Sequence, residues 1–260
     1  MRFLFNFLFV LLLCTIVSCG NKKSGKKTPN VLQAENAPES QTTTTTGGIS
    51  QNETPMADGS NVQGIYVADL YPINYNLQFL KGVGRAAIVR DGDTFTGKVK
   101  LDYGSRQTVM KQAVYTGRRC PNMTDDLNKD AFIDIQEAMI AIGKVTIPLD
   151  GNLDSQMAGL ETFPVGDVAT GRYMYQMTAS FERMFADLKG VDENLTDSIV
   201  KIAEQDGITL PGRIVMIQGL AESVDLSLYR VAAVEGETAH SSSPIACGVL
   251  WKVEALPAGM

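Results

Sequence analysis

The chain predicts a mainly β fold, an antiparallel Greek-key barrel or sandwich, and three observations carry that prediction. Beyond residue 60, apolar residues come in many short runs rather than in long helical periods. Gly and Asp turns separate the runs, chief among them Asp91-Gly92-Asp93. The segment from Phe95 to Leu101 alternates, with Phe95, Gly97, Val99 and Leu101 on one side and Thr96, Lys98 and Lys100 on the other. Side chains of a strand point to opposite faces in turn, so this is the pattern of a half-buried strand. Many short strands joined by tight turns fit a sandwich or barrel. The composition is that of an ordinary globular protein, 44% hydrophobic and 20% charged over 260 residues, enough for one sizeable domain or two small ones.

The start of the chain reads differently. Arg2 precedes the apolar run Phe7-Leu8-Phe9-Val10-Leu11-Leu12-Leu13. That is the charged start and short apolar core of a secretory signal, too short to span a bilayer. It ends in Ile16-Val17-Ser18-Cys19, which resembles the lipobox of bacterial lipoproteins. The resemblance implies cleavage after Ser18, diacylation of Cys19 and acylation of the new amino terminus. Several acyl chains anchor a protein stably where one chain is marginal. Residues 1–18 are therefore read as a lipoprotein signal peptide; the competing reading is an ordinary cleaved signal that leaves a free cysteine. Gram-negative lipoproteins with aspartate after the lipidated cysteine tend to stay at the inner membrane. Gly20 in that place points to the outer membrane, without saying which face. Lys22, Lys23, Lys26 and Lys27 can meet anionic headgroups. The rest of the stretch is rich in Ser, Thr, Asn, Gln and Gly, including Thr42 to Thr46. It offers too little apolar surface to offset its ordering entropy. Residues 19–60 are read as a lipidated flexible tether, and residues 61–260 as the folded domain.

Within that domain Ile65 to Leu70 reads as the first strand and Gly84 to Val89 as the second. Asp91-Gly92-Asp93 turns it into the third, Phe95 to Leu101. Gly82-Val83-Gly84 lacks the rest of any phosphate-binding fingerprint and reads as a turn. Thr108 to Tyr115 is a fourth strand, and Val145 to Leu149 and Arg172 to Met177 follow. Phe181 to Leu188 and Thr196 to Glu204 have the spacing of short amphipathic helices. Gly212 to Gln218 and Ile245 to Val253 are apolar and strand-like. Tyr66 and Trp251 read as core or barrel-wall residues.

Between the fourth and fifth strands lies the run Asp126-Leu127-Asn128-Lys129-Asp130-Ala131-Phe132-Ile133-Asp134-Ile135-Gln136-Glu137. It reads as a calcium loop of the EF-hand type. Calcium is a hard cation that takes six to eight oxygens, and such a loop supplies them from positions 1, 3, 5, 7, 9 and 12. Those positions hold Asp126, Asn128, Asp130, the Phe132 carbonyl, Asp134 (often through a water) and Glu137. Position 8, expected to point into the protein, is Ile133. Position 6 departs from the pattern: Ala131 stands where glycine is expected. A left-handed alanine costs about 1–2 kcal/mol, so affinity is expected to suffer without vanishing. Cys120 and Pro121 leave no room for an entering helix, whereas Ile135 to Ile142 can form a short exiting one, stopped at Gly143. The expectation is a single calcium loop, 126–137, grafted into another fold. The competing reading is a solvated acidic turn.

Four cysteines are present. Cys14 leaves with the signal and Cys19 takes lipid. Cys120 and Cys247 remain, one pair in an oxidising compartment, either bridged or as two buried thiols. The chain has no CxxC and so no thioredoxin-like or zinc-ribbon signal.

A family resemblance enters at the last strands. Gly212-Arg213-Ile214-Val215-Met216-Ile217-Gln218 and Ile245-Ala246-Cys247-Gly248-Val249-Leu250 resemble the final core strands of copper/zinc superoxide dismutases. Those enzymes carry a Gly-Arg-x-x-Val-Val-His strand and an Ala-Cys-Gly-Val-Ile strand. Their terminal cysteine pairs with one after a His-x-His strand, the place of Cys120 here. The resemblance implies a Greek-key barrel over most of residues 62 to 254, with the same disulfide. The metal ligands are where this chain departs. The copper histidines would fall near Ala113 and Tyr115 and at Gln218, and the chain has one histidine in all, His240. A copper/zinc site of that kind needs several imidazoles, so dismutase activity is expected to be absent.

Net charge is −6, which argues against nucleic acid as a partner. His240 precedes Ser241, Ser242 and Ser243, but neighbours in a flexible surface loop do not make a nucleophile–base pair. The sequence therefore predicts a non-enzymatic, calcium-binding lipoprotein of the cell envelope, a structural or binding module. Its membrane contact is the anchor on Cys19, and the protein or glycan it would bind is unspecified. The alternative is a copper- or zinc-handling protein, or a divergent dismutase-like enzyme, using His240 with carboxylates and methionines.

Overall fold

A computed structural model describes residues 62–75, 84–102, 108–154, 162–166, 172–189 and 208–260. The segments read as signal peptide and tether, with Cys19, Gly82-Val83 and the helix expected at Thr196 to Glu204, lie outside the described residues.

Nine strands form one antiparallel sheet that curls over on itself. One half runs β1 (Gly64–Pro72), β2 (Gly84–Asp91), β3 (Thr94–Leu101) and β6 (Tyr173–Ser180), with β9 (Trp251–Val253) on the other side of β1. The second half runs β5 (Val145–Pro148), β4 (Lys111–Tyr115), β7 (Ile214–Gln218) and β8 (Pro244–Val249). β1 serves both halves: Ile65 to Val67 pair with β9, while Tyr71 and Pro72 pair with Cys247 and Ala246 of β8. The chain leaves the first half after β3, returns for β6 beside β3, then crosses again to lay β7 against β4. This is the Greek-key barrel path expected from the sequence, here as a partly open barrel.

The β2–β3 hairpin forms where Asp91-Gly92-Asp93 predicts it, with Asp91 opposite Thr94 and Gly92 at φ +58°. Such two-residue turns need positive φ, which glycine adopts freely. β3 alternates as read: Phe95, Gly97, Val99 and Leu101 are buried. β4 starts at Lys111 rather than Thr108, since Val109 makes only an isolated bridge to Val165. β6 runs on past Met177 to Ser180 because β3 offers partners as far as Thr94. The final run is two strands, not one. Leu250 donates to Arg213 O (2.8 Å) and accepts from Gly212 N (2.7 Å), which ends β8 beside β7, and β9 then turns to β1.

Two apolar clusters result. The barrel interior holds Tyr66, Ile88, Phe95, Leu101, Val114, Val215, Ile217 and Ile245 with many others. The second lies on the outside of the β4–β7–β8 half and takes the alternate residues Ala113, Tyr115, Ile214, Met216 and Cys247. Helix α1 (Ile135–Ile142) covers it with Ile135, Ala138 and Ile142. β7 is therefore buried on both faces, which accounts for its unbroken apolar sequence. Helix α2 (Phe181–Leu188) turns Phe181, Met184, Phe185 and Leu188 inward, at the i, i+3, i+4, i+7 spacing of one helix face. Tyr66 is fully buried, whereas Trp251 is only half-buried. Cys120 and Cys247 form a disulfide, with Cα atoms 5.8 Å apart, across 127 residues.

Candidate functional site

The acidic loop sits on the second cluster, between the disulfide and α1. Its backbone is set by its own short side chains. Asp126 accepts from the amides of Asp130 (3.2 Å) and Ala131 (2.8 Å). Asn128 Oδ1 accepts from Asp130 N (3.0 Å), and Asp130 Oδ1 from Phe132 N (2.9 Å). These bonds wind the chain so tightly that Lys129 and Ala131 adopt φ +59° and +66°, the only non-glycine residues at positive φ among those described. Ala131 is at position 6, where the glycine was expected.

At the far end Asp134 caps α1, accepting from Glu137 N (3.0 Å) while Glu137 Oε2 accepts from Asp134 N (3.1 Å). Glu137 Oε1 reaches back to the loop entrance and accepts from Leu127 N (2.8 Å) and Asn128 N (3.2 Å). α1 has the predicted bounds and ends at Gly143. Ile133 points inward and is fully buried, as position 8 requires. The Phe132 ring packs in the core against Tyr229, with centroids 5.0 Å apart.

Two further elements grip the loop, and neither has a cue in the sequence. Asn74, fully buried just after β1, brackets Ile133: its Oδ1 accepts from Ile133 N (2.7 Å) and its Nδ2 donates to Ile133 O (3.1 Å). From beyond β7, Arg230 N donates to Asp130 Oδ2 and Ala232 N to Asp134 Oδ2 (2.9 Å). Asn128 Nδ2 in turn donates to Arg230 O (3.3 Å).

The electrostatics of the loop are lopsided. Asp134 and Glu137 are buried, yet among the described residues no Lys or Arg pairs with Asp126, Asp130, Asp134 or Glu137. Asp125, one residue upstream, shows the contrast. Arg119 clasps it with two bonds (2.6 and 2.7 Å), and those bonds hold its carboxyl below the usual aspartate range. The four loop carboxylates are balanced by backbone N–H groups instead. Their oxygens are turned to those amides, and among the described residues no three His, Cys, Asp or Glu side chains meet closely enough to hold a metal. The loop thus gathers the named oxygens into one turn without yet focusing them on one point.

The positions to which the resemblance would assign copper histidines lie on the outer face of β4 and β7. Ala113 and Tyr115 of β4 and Gln218 of β7 lie there together. The Tyr115 hydroxyl accepts from Gln218 Nε2 (3.3 Å), and Gln218 Oε1 is buried without a partner among the described residues. Burial, and secondarily the nearby Glu237 charge, push the Tyr115 phenol well above its ordinary range. Lys111, opposite Gln218 in the strand register, pairs with Glu237.

His240 stands apart from these positions. Its Nε2 lies 2.9 Å from Val224 O and its Nδ1 3.3 Å from Glu222, so both ring nitrogens are engaged. The serines beside it are not the flexible surface loop expected. They form helix α3 (Ala239–Ser242), capped by Thr238, and Ser242 and Ser243 are fully buried. Ser242 Oγ donates to Glu237 (2.9 Å) and Ser243 Oγ to Ala239 O (2.6 Å), neither to the imidazole.

No protein-family model matches the chain, and no curated protein matches it. Among solved structures it is similar to a double mutant of a SOD-like protein from Bacillus subtilis, at 14% identity and a TM-score of 0.33. That match covers 70% of this chain and 95% of the other. A second SOD-like structure from Bacillus subtilis matches at 13% identity and a TM-score of 0.28, over 70% of this chain and 96% of the other. The fold assignment rests on the strand order itself.

Proposed function

We propose that this protein is a calcium-binding, non-enzymatic lipoprotein of the cell envelope, a structural or binding module held to the outer membrane through Cys19. The observation that carries the calcium reading is Ala131. It adopts the left-handed conformation that this loop class needs at position 6, at a cost of about 1–2 kcal/mol that glycine would avoid. The loop takes the conformation of its class at the one position where its sequence departs from the pattern. The four carboxylates add a second reason: among the described residues they share one turn with no side-chain cation paired to them, and two of them are buried. A divalent cation supplies the missing charge, and Asp126, Asn128, Asp130, the Phe132 carbonyl, Asp134 and Glu137 supply the oxygens. Binding then turns those oxygens inward from the amides they now hold, and calcium tightens the segment between the disulfide and α1. A dead dismutase-like barrel is the expected scaffold, with Tyr115 and Gln218 bonded to each other where imidazoles would be needed.

Isothermal titration of the chelator-treated chain, purified in detergent, tests the reading. One saturable calcium event per chain is expected, with a Kd of about 10⁻⁴–10⁻³ M, the range of extracellular calcium modules. Asp126→Ala should abolish it while the near-UV circular dichroism of the barrel is kept. Absence of heat at millimolar calcium, or a titration unchanged by that variant, defeats the reading. The anchor is tested separately by the mass of the amino-terminal peptide, which should carry acyl chains on Cys19.

A further inference from the structure

Between β7 and β8 the chain makes a long excursion, residues 219–243, closed at its neck. Gly219 N donates to Ser243 O (3.0 Å) and Leu220 N to His240 O (2.8 Å). Val224, Leu226, Tyr229 and Val231 of its body lie half-buried against the barrel interior cluster. Polar contacts fasten it at two separate places. One is the acidic loop, where Asp130 and Asp134 accept the amides of Arg230 and Ala232. The other is β4, where Lys111 pairs with Glu237, and Ser242 Oγ bonds the second carboxylate oxygen. The Lys111 and Glu237 side chains are only 16% and 10% exposed. Removing one partner of so covered a pair strands the charge of the other, which destabilises more than removing both.

We propose that the 219–243 excursion is a strap that couples the acidic loop to the outer face of β4 and β7. The Lys111–Glu237 pair holds this body at Glu237, and the Asp130 and Asp134 carboxylates hold it five to seven residues earlier at Ala232 and Arg230, so loosening either fastening loosens the other. This goes beyond the calcium reading and does not depend on it, because the bonds that carry it are within the chain.

Amide hydrogen exchange, read residue by residue in the full chain, tests the coupling. In Lys111→Met the Arg230 and Ala232 amides should exchange on the order of tenfold faster, as for a local opening made easier, while the amides of β2 keep their rates. The charge-swapped double variant, Lys111→Glu with Glu237→Lys, should return Arg230 and Ala232 toward the parent rates. Coupling is reciprocal, so Asp134→Asn, which keeps a capping oxygen for α1, should speed the amides around Glu237. If Lys111→Met does not fold, Ser242→Ala gives the same readout with a smaller change. Unchanged Arg230 and Ala232 amides in a folded Lys111→Met or Ser242→Ala overturn the proposal. So does an equal acceleration throughout β2, which would mark global loosening.

Discussion

The two faces of the β4–β7–β8 half are held in different ways. The inner face presents Val114, Val215, Ile217 and Ile245 to a large interior cluster of aliphatic and aromatic side chains. The outer face presents Ala113, Tyr115, Ile214, Met216 and Cys247 to a smaller cluster capped by one short helix. What holds that cap down is mostly polar and covalent: the Cys120–Cys247 bridge, the Arg119–Asp125 clasp, the Asn74 bracket and the strap. Apolar burial is indifferent to ions, protons and redox state in a way that charges and disulfides are not. The same sheet thus has a constant face and a responsive one.

The strongest challenge to this contrast is to remove the bridge. Replacing Cys120 and Cys247 by Ala should cost about 2–5 kcal/mol in the unfolding free energy. Exchange protection should fall first in the acidic loop and α1, and last in β2 and β3. Equal loss on both faces would dissolve the distinction.

A milder probe uses acid. Asp125 has its pKa lowered chiefly by the Arg119 bonds, so the stability it contributes is complete above the ordinary aspartate value of 3.8. It is lost as pH falls through the lowered folded value. Asp125→Asn should therefore lower Tm at pH 7 by about 2–4 °C, as for a modest loss in a domain of this size. Variant and parent should converge below the pKa of the folded carboxyl. A gap that persisted in strong acid would mean that packing, not charge, is what Asp125 provides.

The smallest expected effect is a gain. Ala131→Gly relieves a left-handed alanine at φ +66° and should raise stability by about 0.5–1 kcal/mol, the strain less the entropy glycine adds to the unfolded chain. If the loop binds calcium, the same change should tighten the titration by a similar free energy. A loss of stability instead would show that the alanine methyl makes a contact worth more than the strain.

What the sequence made legible follows the same division. The alternation of β3, the Asp91-Gly92-Asp93 turn, the face of α2 and the bounds of α1 all come from local period and turn chemistry, and all appear where expected. The loop residues could be named because their spacing is fixed by the backbone that joins them. Asn74, Arg230 and Ala232 could not, since each acts on the loop from 59 to 100 residues away and two of them act through backbone groups alone. A backbone donor leaves no trace in residue type. The serines after His240 misled for a related reason: small polar residues read as surface, but Ser242 and Ser243 satisfy their hydroxyls on Glu237 and Ala239 and can be buried. The break at Leu250 was hidden because an unbroken apolar run does not say which half of the sheet each residue joins.

The bridge between Cys120 and Cys247 also dictates an order of assembly. Its two halves are 127 residues apart, so β5, β6 and β7 must all be made before it can close. At ~5–20 residues per second, Cys120 waits roughly 6–25 s for its partner during synthesis. Until close to that point Arg230, Ala232 and β8 are missing too, and the acidic loop is gripped by Asn74 without those two amides. The outer face of the β4–β7–β8 half is therefore the last part to become itself, built onto a β1–β2–β3 meander that can stand ready first.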